Sequence, residues 1–156
     1  MRWRIGSRRR LHLSDTGFRD GQKMKMPLVW AALVAGLLLS GCRDRDADLP
    51  AYYRTLRVPD SVLASAQARR RGGALFLEHC AICHGERGDG NGIRAEGIDP
   101  PPRDFTNPDW RAATSPRRVF FAIRQGLSGT AMPAWTSLNE EQTWDLVAYV
   151  LSLGQK

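Results

Sequence analysis

The longest apolar run in the chain, Pro27 to Ser40, is followed by a charged, irregular stretch and then by three segments whose apolar positions recur at helical spacing. The first of these predicts a helix from Ser61 or Val62 to about Cys80, interrupted only by Gly72-Gly73, which cost helix propensity and so suggest a close packing contact. Gly72 and Phe76 lie four residues apart, on one face. A second helix is signalled by Ser115 as N-cap and Pro116 at the first helical position. It carries Val119, Phe120, Ile123 and Leu127 at helical spacing, with Gly126 near its end. The third begins after Asn139, a favourable N-cap with Gln142 three residues on. It places Leu146, Tyr149, Val150 and Leu153 on one side and stops at Gly154.

Between the first two helices lie some 30 residues rich in Gly, Pro, Asp and Asn, without the alternation of a strand. Structureless loops beyond ~12–15 residues usually have a task, and wrapping a flat cofactor is one. The pattern therefore predicts an all-α domain of three to four helices and long loops.

At 156 residues there is room for one compact domain plus tails. The formal charge of +7 suggests an acidic partner, but its distribution removes most of that force. Residues 1–41 hold eight Lys/Arg against two Asp/Glu, leaving 15 and 14 in residues 42–156. No basic stripe with interleaved aromatics remains, so no nucleic-acid partner is expected.

Residues 1–41 read as a leader: a basic stretch, then a 14-residue apolar run, too short to span a bilayer comfortably. Residues 1–23 extend a signal already complete from Met24, which makes Met24 and Met26 candidate starts. The run ends in Leu39-Ser40-Gly41-Cys42, which resembles the lipobox of bacterial lipoproteins. Cys42 would then be the lipidated first residue, and the membrane a partner through that anchor. Residues 42–61, with prolines at 50 and 59, read as a flexible tether whose 19 residues from Arg43 could reach roughly 65 Å, and residues 62–156 as the working domain.

The chemistry concentrates at Cys80-Ala81-Ile82-Cys83-His84, the C-x-x-C-H pattern of haem c attachment. Two thiols three residues apart can add across the two vinyl groups of one porphyrin, which carries the adjacent histidine under the iron. Rival readings fare worse. A thioredoxin-like pair wants a βαβ context, a structural zinc site wants a second ligand pair, and a plain disulfide leaves the histidine unexplained. His79 reads as a solvent-side residue. Met132, the only methionine after residue 26, lies 49 residues beyond Cys83 in a loop with Gly126 and Gly129 before it and Pro133 after it. That context favours an axial ligand over core filler.

Residues 61–153 resemble a class I cytochrome c of the bacterial monohaem type. The matching features are Gly72-x-x-x-Phe76, the attachment motif followed by Gly88-Asp-Gly90-Asn-Gly92, the Met132-Pro133 loop, and Asp145-Leu146-Val-Ala-Tyr149. The resemblance implies a class I cytochrome c fold, in which the first and last helices cross and bring Gly72 and Phe76 against Leu146 and Tyr149. It implies one covalent haem c on Cys80 and Cys83, ligated by His84 and Met132, and a proline carbonyl, from Pro100, Pro101 or Pro102, accepting the histidine Nδ1 proton. Arg103, Trp110 and Trp135 are candidates to meet the haem propionates. The function so implied is one-electron transfer between redox partner proteins on the exported, periplasmic side of a membrane, without catalysis. The alternatives are a haem c subunit of an oxidase or dehydrogenase complex, or a ligand-binding haem enzyme if Met132 does not ligate.

Overall fold

The computed structural model describes residues 44–155, so the leader and Cys42 lie outside the described residues. Among the described residues there are seven helices and no strand: α1 (Ala51–Thr55), α2 (Asp60–Ala64), α3 (Ala66–His79), α4 (Ala81–His84), α5 (Pro108–Ala113), α6 (Pro116–Gln125) and α7 (Glu140–Ser152). The all-α expectation holds. The count exceeds three to four because α1, α2, α4 and α5 are each six residues or fewer, too short to display a helical period. No helix among them is long and apolar enough to cross a membrane.

The helix expected to begin near Ser61 is instead two helices. Ser65 adopts an extended conformation (ψ 121°) and turns its hydroxyl to accept the Ala68 N–H at 3.2 Å, so it caps α3 rather than continuing α2. The other two starts are as expected. The Ser115 hydroxyl accepts from Arg118 N ahead of Pro116, and Asn139 forms a reciprocal capping box with Gln142, each bond 2.9 Å.

α3 and α7 form the centre of the domain. Gly72 lies so close to α7 that a Cβ built there would stand 2.0 Å from the Asp145 carbonyl oxygen. Only glycine allows the two backbones to meet. Phe76, one turn further on and fully buried, packs against the Tyr149 ring at 5.2 Å. Buried Leu146, Val147 and Val150 continue the contact, and Phe120 of α6 packs on Trp144 at 4.5 Å from the other side, the rings tilted by 37°. At the rim Arg71 closes a two-bond fork on the buried Asp145 carboxylate (Nε 2.6 Å, Nη2 2.8 Å), so the charge removed from water is paired.

The segment expected to be a loose tether is, from residue 44 onward, a strap along α6. Ser115 Oγ donates to the buried Asp46 carboxylate, which Arg117 Nη1 also reaches at 3.4 Å. Arg117 Nε donates to the Leu56 carbonyl at 2.8 Å. Arg118 Nε donates to the Arg45 carbonyl, also at 2.8 Å, while its guanidinium pairs with Asp48. At the other end of α6, Gln125 donates to the Tyr53 hydroxyl at 2.6 Å. Leu49 and Tyr53 enter the core, Tyr53 edge-on to Phe121 at 4.9 Å. Burying such side chains contributes about 1.5–3 kcal/mol each towards holding the segment in place.

Candidate functional site

The attachment pattern occupies a single tight turn. Cys80 ends α3, its N–H bonded to the Phe76 carbonyl at 2.8 Å, and begins α4 with φ −112° and ψ −34°. The carbonyls of this turn are all taken up by the glycine-rich loop that follows. Gly85 N bonds Ala81 O at 2.8 Å, Arg94 N bonds Ile82 O at 2.8 Å, Gly92 N bonds Cys83 O at 3.1 Å and Gly90 N bonds His84 O at 2.8 Å. The long loop therefore folds back over α4 and holds its geometry, satisfying groups that a one-turn helix would otherwise leave unpaired.

Both thiols are free and half-buried. Burial, with Cys83 close by, pushes the Cys80 thiol up to about 11, so it is a neutral thiol at neutral pH. A thioredoxin-type nucleophile requires the opposite shift.

His84 is held from two sides. Its Nδ1 stands 3.0 Å from the Arg103 carbonyl, and its ring stacks on Phe105 with centroids 4.5 Å apart and planes 22° from parallel. A carbonyl can only accept, so the proton belongs on Nδ1, and in the neutral ring Nε2 keeps its lone pair. Burial lowers the affinity of the ring for a second proton, opposed by the Arg103 bond. The expected acceptor was one of Pro100, Pro101 and Pro102. Instead the chain continues one residue past the prolines before a carbonyl meets the ring, and Phe105, two residues on, enters the core beside it.

Met132 lies in a second loop, half-buried and packed against the core. Leu127 N donates to the Met132 carbonyl at 3.2 Å and Met132 N donates to Thr130 Oγ1 at 3.1 Å, which closes a compact turn. Gly126 opens that turn at φ +67°, and a Cβ there would stand 2.8 Å from Met132 O, Pro133 C and Ala134 N. No other residue meets both conditions without strain.

His79 is not a simple solvent-side residue. Its ring packs on Trp135 at 5.0 Å, while Trp135 N donates to the Ile123 carbonyl at 2.9 Å. The contact ties the residue before Cys80 to the segment after Met132, so the end of α3 that leads into the attachment turn is joined directly to the Met132 loop. Of the propionate candidates, Trp110 packs behind His84 on Phe105 at 5.0 Å, Trp135 is taken up by His79, and the Arg103 side chain is exposed. Sequence reasoning missed Phe105 and His79. An aromatic in an otherwise polar loop, three residues after Pro102, was the available signal for Phe105.

Among the described residues no group of three or more His, Cys, Asp and Glu side chains is gathered that could by itself hold a metal ion. A metal on His84 Nε2 would need its remaining ligands from elsewhere. An oriented imidazole, a half-buried thioether and two free thiols form a donor set that fits a haem, whose macrocycle brings four nitrogens of its own.

One chain of a Kuenenia stuttgartiensis reducing HAO-like protein complex is similar at 31% identity with a TM-score of 0.52. The match covers 63% of this chain and 46% of that one, so this protein spans less than half of that relative's length. A structure described as the KustC0563 c-type cytochrome matches at 31% identity over 53% of this chain and 95% of its own, with a TM-score of 0.44. The family model described as cytochrome c oxidase, cbb3-type, subunit III matches residues 67–150, from the first turn of α3 almost to the end of α7, and the chain belongs to that family.

Proposed function

We propose that this protein is a one-electron carrier of the class I, monohaem type. Cys80 and Cys83 would hold one haem c covalently, and His84 Nε2 and Met132 Sδ would be the side-chain ligands to its iron. The observation that carries the reading is the bond from His84 Nδ1 to the Arg103 carbonyl, inside a C-x-x-C-H turn. It orients the ring, fixes the tautomer and leaves one nitrogen able to ligate. The bound group would supply an Fe(III)/Fe(II) couple.

The chain's own part is positioning. Phe105 and the Arg103 carbonyl limit rotation of His84, the Gly126 turn presents Met132, and the Gly90–Arg94 amides keep the attachment turn rigid. With His84 and Met132 both engaged, the group would exchange one electron at a time and would leave no side for a substrate. Cys42 serves as a lipid anchor after export, which places the domain on the periplasmic side of a membrane.

The test is an optical spectrum of the exported protein, oxidised and reduced, beside Met132→Ala. Sharp reduced bands, with a weak long-wavelength sulfur-to-iron band in the oxidised form that disappears in the variant, are the expected result. A haem-free protein or an unchanged variant refutes the ligand assignment, and CO binding to the reduced native protein at neutral pH would favour an open-site haem enzyme.

A second reading, a haem-bearing subunit of an oxidase or other redox complex, is favoured by the family's description and by the relative in a multi-protein complex. Co-purification with a membrane complex after mild detergent extraction separates the two.

A further inference from the structure

We propose that the strap fastens the domain upright on its anchor, so that the N-terminal end of α6 faces the lipid surface and the Met132 loop is held away from it. The proposal rests on the reading of Cys42 as lipidated. A free tether would leave the anchored domain able to present any side to the bilayer. The structure shows the opposite: fixation begins at Arg45, whose carbonyl accepts from Arg118 Nε at 2.8 Å, and continues with Asp46 on Ser115 and Leu49 in the core.

Arg45 lies only three positions beyond Cys42. At ~3.4 Å each they span about 10 Å, against roughly 65 Å for the 19-residue tether expected from sequence. A domain of this size has a radius of gyration of about 13 Å, so the leash is shorter than the body it holds. The far side cannot swing round to the lipid.

The direction follows from α6. Its N-cap, Ser115, is bonded to Asp46 at the anchored end of the strap, while Gln125 at its other end leads through Gly126 into the Met132 turn. Ten helical residues separate these ends by about 15 Å. The strap runs along the same helix, reaching Gln125 through Tyr53. One helix thus sets both the attachment point and the height of the Met132 loop.

Neutron reflectometry of the full lipidated chain on a supported phosphatidylethanolamine/phosphatidylglycerol bilayer tests this. The native protein is expected as a narrow layer beginning within about 10 Å of the headgroups. A variant with a Gly/Ser insertion of about 15 residues between Arg43 and Asp44 keeps the strap intact and is expected to give a broader layer, set off by about 20 Å more. A native protein that binds the bilayer but shows the same diffuse, distant layer as the insertion variant overturns the proposal and leaves the lipidation reading standing. Failure of the native chain to stay on the bilayer, or retention of Cys42→Ser on it, overturns both.

Discussion

Gly72→Ala sets two physical effects against each other. Helix propensity alone predicts a gain, because alanine in a helix interior is about 1 kcal/mol more favourable than glycine. The α3–α7 contact predicts a much larger loss. The new Cβ would stand 2.0 Å from Asp145 O and 2.5 Å from its carbonyl carbon, backbone atoms that cannot rotate away. Ordinary contact begins at 3.4 Å, so the helices must separate by about 1.4 Å. A gap of ~0.5–1 Å already forfeits a quarter to a half of each dispersion contact, and the layer affected holds Phe76, Leu146 and Val147, all at most 1% exposed. Together with a disturbed Arg71–Asp145 fork, this costs on the order of 4 kcal/mol, or about 3 kcal/mol after the propensity gain.

For 112 described residues the total stability is of the order of 6–17 kcal/mol, and the expected fall in Tm exceeds about 10 °C. Gly73→Ala is the matched comparison. Its Cβ would meet only the edge of the Tyr149 ring, at 3.1 Å, and that ring is half-buried and able to shift. Propensity then offsets most of the crowding, and the net change is expected within about 1 kcal/mol. Denaturant and thermal unfolding of both variants, followed by circular dichroism, decide the matter. A Gly72→Ala protein as stable as the native one would refute the close contact and the packing argument built on it.

Phe105→Ala should remove the stacked wall of His84 and a buried core ring, costing about 3–5 kcal/mol in unfolding free energy. Because the Arg103 bond alone then orients the imidazole, a shifted reduction midpoint should accompany that loss; an unchanged midpoint would show that Phe105 only packs. His79→Ala should cost little stability but loosen the Met132 segment, weakening the sulfur-to-iron band and raising CO binding at neutral pH. If both stay at native levels, the His79–Trp135 contact does not hold the loop. Acid should loosen the fastening of the strap at Asp48. The Arg118 hydrogen bond holds the Asp48 carboxyl below its usual 3.8. Its contribution is therefore complete above that value and is lost as pH falls through the lower folded one. Hydrogen exchange near Arg45 and Asp48 should rise in that window, and Asp48→Asn should reduce that rise; equal acid sensitivity in both proteins would contradict it.

The parts of the fold that the sequence revealed are those with a local cause. Ser115 with Pro116, and Asn139 with Gln142, act within one turn, so their helices start where the residues say. Gly72 was legible as a close contact because glycine in a helix needs a reason. The strap was not, since Leu49 and Tyr53 are interrupted by Pro50, and their partners on α6 lie some 70 residues away. The break at Ser65 escaped for a related reason: serine is tolerated inside a helix, and only its bond to Ala68 N reveals the cap. At the site, the thiols, the histidine and the methionine stand out by residue type. The Arg103 acceptor does not, because every residue carries the same carbonyl and only the path of the loop selects one.

That acceptor gives the site an uneven tolerance of genetic change. No side-chain substitution at position 103 deletes a peptide oxygen, so replacements there should leave the imidazole oriented as long as the backbone keeps its course. Loop length is another matter. One codon gained or lost between Gly92 and Arg103 displaces the carbonyl by up to about 3.8 Å, more than the whole 3.0 Å bond to His84 Nδ1. Drift in this part of the gene should be permissive for point substitutions and severe for insertions and deletions, the reverse of what an exposed polar loop would ordinarily suggest.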